Sequence, residues 1–135
     1  MKERPRKPHS PPTEEYLRHG KRVPAFFYRT DAGGEPVREW LQGLAIADKK
    51  AIGADIKALE FGWPLGLPLC RPLQGGVHEV RTDLENNRIA RVLFYVDARQ
   101  RMVLLHAFIK KTRKTSEDDL ALALKNKKKH EKGLA

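Results

Sequence analysis

Residues 77–116 read VHEVRTDLENNRIARVLFYVDARQRMVLLHAFIKKTRKTS, and they contain the clearest secondary-structure signals of the chain. It contains three apolar runs rich in β-branched and aromatic residues, at residues 77–82, 88–97 and 101–110. The connections between the runs, LENN and DARQ, are turn-rich and too short for a crossover between parallel strands. The stretch therefore predicts an antiparallel meander of three strands.

Alternation along these strands distributes the polar side chains between the two faces of the sheet. In the first strand, His78 falls on one face and Glu79 and Arg81 fall on the other. In the second strand, Arg91 shares a face with Tyr95. The period of two does not fix the register between strands, so which faces coincide stays open at this stage.

The sequence before the meander predicts one more strand and two helices. Residues 25–29 (AFFYR) have the character of a first or edge strand. Pro36 suits a first helical position, and Asp48 is a candidate cap for a second helix that stops at Gly62, so the two helices form a predicted hairpin. Residues 63–75 hold three prolines and two glycines, which predicts an irregular loop packed on the core.

After the meander, Ser116 is a predicted cap of a C-terminal helix that Leu120 and Leu124 anchor. These elements together predict an α+β fold. Its sheet is small, twisted and antiparallel, mixed at the first strand, and packs against the N-terminal helix hairpin. We expect a single domain over residues 23–135, preceded by a disordered, basic, proline-rich arm at residues 1–22.

The positive charge is concentrated at the two ends of the chain. The protein has 27 Lys and Arg against 17 Asp and Glu, a net charge of +10. Residues 1–22 contribute +4, residues 23–109 contribute +1 and residues 110–135 contribute +5. An excess of this size indicates a protein that binds polyanions, and its largest local concentration follows the third strand of the meander.

Cysteine content and hydropathy predict a cytoplasmic protein. Cys70 is the only cysteine, so no intrachain disulfide can form and a reducing compartment is expected. The apolar run at residues 102–109 is too short to span a membrane, and the N-terminus lacks the apolar region of a secretory signal. We expect no membrane contact.

The cations around the meander suggest phosphodiester chemistry without a metal or cofactor, since no carboxylate pair or thiol site accompanies them. RNA supplies its own nucleophile, the 2′-hydroxyl, so a protein needs cations for the phosphate and groups that transfer protons. Arg81 and Arg91 are candidates for the first role, and Lys110, Lys111 and His78 for the second. The alternative is that both arginines form ordinary surface ion pairs with neighbouring acids.

The segments HEVR, RIARVLFY and LLHAFIKKTRKT, in this order, resemble the RelE/HigB toxin superfamily, and most closely its phage-derived host-toxicity branch. The similarity extends over roughly residues 25–132, and HAFIKKTRKT is its most specific motif. The resemblance implies a RelE-like fold and the toxin of a type II toxin–antitoxin system. It further implies a metal-independent endoribonuclease that cleaves messenger RNA, often on the ribosome, and a helix-turn-helix antitoxin of the HigA type as partner.

By motif, the resemblance assigns Arg81, Arg91, Lys110 and Lys111 to binding and polarising the scissile phosphate. His78 is the candidate for proton transfer. The basic residues predicted to bind RNA are Lys111, Arg113 and Lys114.

Two other functions are compatible with the same basic face. One is a non-catalytic protein that binds nucleic acid or a protein partner. The other is a gyrase inhibitor of the ParE type, which shares the fold but does not cut RNA. The HAFIKKT motif favours the ribonuclease.

Overall fold

A computed structural model describes residues 20–110 and 115–134 of the chain. The elements within these residues follow in the order β1 (Ala25–Phe27), α1 (Pro36–Gln42), α2 (Ile46–Gly62), β2 (Cys70–Pro72), β3 (His78–Asp83), β4 (Ile89–Val96), β5 (Met102–Lys110) and α3 (Glu117–Leu134).

The strands form one sheet in the order β1-β5-β4-β3-β2. β1 runs parallel to β5, while the β2–β3, β3–β4 and β4–β5 pairs are antiparallel. The β3–β4 connection turns at Asn86 and Asn87, whose φ angles of 61° and 58° belong to the left-handed region that asparagine tolerates. This arrangement confirms the predicted α+β fold with its antiparallel meander and a sheet mixed at the first strand.

The prediction that residues 63–75 are wholly irregular is wrong, because they contain β2. Cys70 pairs with Val80 of β3, and Pro72 pairs with His78. Pro72 is tolerated because β2 is an edge strand, where a proline leaves no ladder hydrogen bond unmade on the outer side. A strand of three residues that ends on a proline is too short to show alternation, so it left no periodic signal in the sequence.

The predicted cap of the second helix is also wrong. α2 begins at Ile46, and Ala45 stands at the cap position without a side-chain hydrogen bond. Asp48 lies in the first turn instead, where it is buried and accepts two hydrogen bonds from Arg88, at 2.9 and 3.1 Å. A carboxylate in the first turn interacts favourably with the helix dipole. The main partner of Asp48, however, is Arg88, which lies 40 residues later in the chain.

The sheet carries an apolar core on each face. On the face that packs against α1 and α2, here called the hairpin face, the largest buried side chains include Ile52, Leu59 and Phe94. The opposite face, here called the α3 face, packs against the C-terminal helix. Its buried hydrophobic residues are Tyr28, Val77, Leu93, Tyr95, Val103, Leu105 and Ala123, and the predicted anchors Leu120 and Leu124 pack against them.

Close packing of α3 depends on a glycine in the turn before β3. Gly75 has a φ of 65°, and a Cβ atom at this position would lie 2.6 Å from Cδ2 of Leu124. Any other residue would therefore strain the backbone at this φ and require the Leu124 side chain to shift from its place between α3 and the sheet.

Residues 1–19 of the predicted basic arm lie outside the described residues. The last residues of that arm already contact α2: the Lys21 ammonium lies 3.0 Å from the Glu60 carboxylate, and the Arg22 amide donates to the Glu60 carbonyl at 2.8 Å. Across residues 20–110 and 115–134, none of the helices has the length and apolar character that crossing a membrane requires.

Candidate functional site

The register of the meander decides which predicted site residues share a face. Arg81 and Arg91 are direct cross-strand partners, and Arg91 in turn pairs with Phe108 of β5. Lys110 pairs with Ile89, which is two residues from Arg91 on the same strand and so lies on the same face. The structure therefore brings Arg81, Arg91 and Lys110 together on the α3 face.

His78 lies on the hairpin face and is not brought to this group. Its ring stacks on Phe94 with 5.6 Å between centroids and meets the edge of Trp63 at 4.9 Å. Burial lowers the pKa of His78. The sheet separates this imidazole from Arg81, so its placement gives no support to a role in proton transfer at the arginines.

Glu79 gathers three arginines around one buried carboxylate. Its Oε1 lies 2.8 Å from Nη1 of Arg91, 3.4 Å from Nε of Arg71 and 3.9 Å from Nε of Arg81. The Thr115 hydroxyl donates to the second carboxylate oxygen, Oε2. We call Arg71, Glu79, Arg81 and Arg91 the arginine cluster; its three guanidinium groups and one carboxylate leave a net charge of +2.

The three arginines differ in what they present to solvent. The Arg91 side chain is 0% exposed, whereas those of Arg81 and Arg71 are 22% and 34% exposed. Burial lowers the pKa of Arg91 and the nearby positive charges act in the same direction, while Glu79 opposes them. A guanidinium remains charged through such a shift. Arg91 is thus the buried partner of Glu79, and Arg71 and Arg81 carry the charge that a ligand can reach.

The Nε atoms of Arg71 and Arg81 are buried and make no hydrogen bond within the part of the chain that the structure describes. Their nearest acid, Glu79, is already engaged by Arg91 and Thr115. Buried donors without acceptors are uncommon in folded proteins. Arg71 and Arg81 therefore have N–H donors that form no hydrogen bond with Glu79.

A second polar cluster joins β5 to the first turn of α3, and we call it the Asp119 cluster. Asp119 Oδ1 lies 2.8 Å from Nε2 of His106, and Oδ2 accepts hydrogen bonds from Lys110 Nζ at 2.5 Å and Ser116 Oγ at 2.6 Å. The Asp119 amide donates to Ser116 Oγ at 3.1 Å, which confirms the predicted cap. Burial raises the pKa of Asp119, but these hydrogen bonds outweigh it and lower the pKa to about 2.

Lys110 is therefore held by an acid. Besides Asp119, its ammonium lies over the ring of Phe108, 4.8 Å from the centroid. The three cations predicted to bind RNA after Lys110 lie outside the described residues, and their role stays a prediction. They are Lys111, Arg113 and Lys114.

The Asp119 carboxylate also fixes the tautomer of His106. Because Asp119 is ionised, the hydrogen bond favours a proton on Nε2 of His106, so Nδ1 is the acceptor whenever the ring is neutral. His106 pairs with Leu93, which pairs with Glu79, so the imidazole lies in the same row of the α3 face as Glu79, while Arg81 and Arg91 lie in the adjacent row. Two strand spacings place His106 about 10 Å from Glu79. A His–Asp pair of this kind can accept and return a proton.

Residues 39–128 match the family model described as Phage derived protein Gp49-like (DUF891), which covers more than half of the chain. The chain belongs to this family. Gp49-like proteins are a toxin-like group related to the RelE/HigB-type toxins. No curated protein matches the chain significantly.

The Gp49-like region contains both polar clusters of the α3 face, from Arg71 in β2 to Asp119 in α3. The match confirms the predicted resemblance at the level of a phage-derived, toxin-like family. It does not extend to β1, which lies before residue 39.

The sequence does not predict four residues of the two clusters as site residues: Arg71, Glu79, His106 and Asp119. Arg71 lies in the segment predicted to be irregular, although an arginine among apolar residues and prolines is a visible signal. Alternation places Glu79 only on the face of Arg81. The apolar segment LLHAF favours a structural role for His106, and nothing local in the sequence indicates that Asp119 meets β5.

Proposed function

We propose that this Gp49-like protein is the toxin of a type II toxin–antitoxin system and cleaves messenger RNA as a metal-independent endoribonuclease. The arginine cluster is the observation that carries the proposal. Arg71 and Arg81 extend from neighbouring strands to the surface, fixed at their base by Glu79. A guanidinium donates two parallel hydrogen bonds to phosphate oxygens, which suits a scissile phosphate better than a point charge.

In the proposed reaction, the 2′-oxygen of RNA attacks the adjacent phosphorus and the bond from phosphorus to the 5′-oxygen breaks. The products are a 2′,3′-cyclic phosphate and a 5′-hydroxyl. Arg71 and Arg81 stabilise the negative charge that grows on the non-bridging oxygens. His106 accepts the 2′-hydroxyl proton at Nδ1, and the Lys110 ammonium donates a proton to the leaving oxygen. Asp119 holds both groups in place.

The cleavage assay that tests this proposal uses purified protein, free or ribosome-bound messenger RNA, and EDTA. We expect fragments that end in 2′,3′-cyclic phosphate or its hydrolysis product. His106→Asn should lower the cleavage rate about 100- to 10,000-fold, the usual contribution of a general base. Arg81→Ala should lower it about 100- to 1,000-fold through loss of charge stabilisation.

His78→Asn is the matched control, since it makes the same change on the hairpin face and should leave the rate unchanged. Circular dichroism establishes that each variant is folded. A rate that falls with His78→Asn and not with His106→Asn would move proton transfer to the hairpin face. Growth arrest without cleavage of free or ribosome-bound RNA would overturn the nuclease and favour a gyrase inhibitor of the ParE type or another non-catalytic binder.

The proposal includes a helix-turn-helix antitoxin that covers the exposed arginines of the arginine cluster. Complementary charge makes such an association fast and sensitive to salt. The same cleavage assay tests it, because the antitoxin should suppress product formation at low salt and do so more slowly as salt is raised.

A further inference from the structure

The outer side of α3 carries a row of lysines that the arginine cluster does not involve. Lys125, Lys128, Lys129 and Lys132 follow one another at i, i+3, i+4 and i+7, so they lie on one side of the helix, and all four are exposed. The opposite side of α3 contains the buried Ala123 and packs against the sheet. We call these four residues the lysine row.

Acidic partners are almost absent from the lysine row. Within the described residues, Lys125, Lys128 and Lys132 take part in no salt bridge. Lys129 approaches Asp31 at 3.9 Å, and the Asp31 side chain is 94% exposed. An ion pair that is this long and this exposed contributes almost nothing.

Lys127 shows the contrast on the same helix. It lies off the row, pairs with Glu131 at 3.1 Å and sits over the ring of Tyr95, 5.1 Å from the centroid. The cation on the inner side of α3 is thus compensated, whereas the cations on the outer side are not. The uncompensated charge of this part of the helix forms one exposed stripe.

The helix dipole does not account for the stripe. Cations are favourable at a helix C-terminus, but the effect falls off within the last turn. Of the row, only Lys132 lies in the last turn of α3, which ends at Leu134. Lys125 and Lys128 lie about 9 to 14 Å before that end along the axis, at 1.5 Å per residue.

We propose that the lysine row binds the sugar-phosphate backbone of the same RNA strand that enters the arginine cluster, an inference that rests on the proposed function. The first turn of α3 holds the Asp119 cluster, and the row begins about 9 Å and ends about 20 Å further along the axis. One strand several nucleotides long spans both sites. Lysines contact phosphates without reading sequence, so the row supplies affinity and direction and leaves specificity to the cluster.

A membrane surface fits the row less well than RNA. Helices that lie on membranes insert their apolar side between lipids. The apolar side of α3 is covered by the sheet, through Ala123 and the flanking Leu120 and Leu124. Charge is the property that this helix offers to a partner, and a continuous polyanion beside an arginine cluster is the ligand that uses it.

The experiment measures binding of a fluorescein-labelled, single-stranded 2′-O-methyl oligonucleotide of about 15 nucleotides, near the upper site size of single-strand binders. This probe lacks the 2′-hydroxyl nucleophile, so binding is measured whether or not the protein cleaves RNA. The variant Lys125→Gln/Lys128→Gln/Lys132→Gln is compared with a control in α2 that removes equal charge from the other side of the sheet. The control is Lys49→Gln/Lys50→Gln/Lys57→Gln.

The dependence of log K on log salt should lose about 2 units of slope in the row variant, since each phosphate contact to a single strand contributes about 0.7. The α2 control should keep the slope of the parent protein. An unchanged slope in the row variant overturns the proposal. Polyglutamate serves as a second probe, which represents an acidic protein. If the row variant loses polyglutamate binding but keeps RNA binding, the proposal is overturned and the row is assigned to an acidic protein. If the row variant loses slope but the parent protein cuts no RNA, the row stands and the nuclease proposal falls.

Discussion

The two faces of the sheet differ in what their central strands bury. On the hairpin face, β4 buries Phe94 in an apolar core. On the α3 face, the same strand buries Arg91 beside Glu79 of β3, and both side chains are 0% exposed. Removing two charges from water often costs more than their attraction returns. The α3 face thus gives up stability that an apolar pair would supply. In the proposed function, the buried pair holds the guanidinium groups of Arg71 and Arg81 in place for RNA.

The largest expected effect comes from breaking the buried pair. Arg91→Ala should lower the free energy of unfolding by about 3–5 kcal/mol, because it leaves Glu79 buried with poorer compensation. Urea denaturation measures the change. Phe94→Ala, on the hairpin face, should cost a similar amount of about 3–5 kcal/mol through loss of apolar contacts and a cavity.

A double variant tests whether the charges of the buried pair cause the loss of stability on the α3 face. Glu79→Leu/Arg91→Met removes the whole pair and should restore most of the stability, since apolar replacements of buried ion pairs are often neutral or stabilising. The proposed cleavage of RNA should be lost in this variant, because Arg71 and Arg81 no longer have the Glu79 carboxylate to hold them. A double variant as unstable as Arg91→Ala would show that the charge pair was not what the single substitution damaged.

Within the α3 face, Asp119 gives the next largest effect. Its pKa falls from 3.8 in the unfolded chain to about 2 in the fold, so its contribution is present above pH 4 and is lost as the pH falls towards 2. Asp119→Asn should lower the free energy of unfolding by about 2 kcal/mol at pH 7, at about 1.4 kcal/mol per pKa unit. Denaturation at pH 7, 4 and 3 should show this difference shrinking.

Asp118→Asn is the matched control, since Asp118 is exposed in the same first turn and bears the same charge. It should cost about 0.3–1 kcal/mol through the helix dipole. Equal losses from both substitutions would mean that the hydrogen bonds to Lys110 and His106 add nothing.

Sequence periodicity predicted the meander and the assignment of side chains to faces within each strand. It separated His78 from Glu79 and Arg81, and the structure has the same separation. It could not show that Arg81 lies opposite Arg91, because a one-residue change in loop geometry alters register without changing any pattern. Arg71 could not be placed on this face from the sequence, because its strand β2 has three residues and is too short to produce a pattern.

The Asp119 cluster shows a different limit. Ser116 was a predictable cap because its signal is local, an acceptor before a turn rich in acids. His106 and Asp119 are 13 residues apart and meet only because α3 folds back across β5. That return depends on packing of the whole helix, including the room that Gly75 leaves for Leu124. Contacts of this kind result from tertiary packing and produce no regular spacing of residues in the sequence.

The smallest expected effect lies at the other end of α3, where the polar group that contacts the sheet is His130 instead of a carboxylate. The Tyr95 hydroxyl forms a hydrogen bond with Nδ1 of His130 at 2.5 Å, while Nε2 faces the Asp97 carboxylate at 3.9 Å. Burial lowers the pKa of His130, although Asp97 opposes the shift. The folded protein therefore binds fewer protons at His130 than the unfolded chain, and this group reduces stability as the pH falls below about 6.5.

His130→Gln should cost about 1 kcal/mol at pH 8, the value of one hydrogen bond, and less at pH 5, where the parent protein must keep His130 neutral against protonation. The pKa of His78 is lowered as well, but His78 is present in both proteins, so the difference between their denaturation curves isolates His130. A difference that stays constant from pH 5 to 8 would mean that His130 is protonated equally in the folded and unfolded states. α3 would then be held at this end by contacts that do not depend on the charge of His130, unlike the charge-dependent first turn at Asp119.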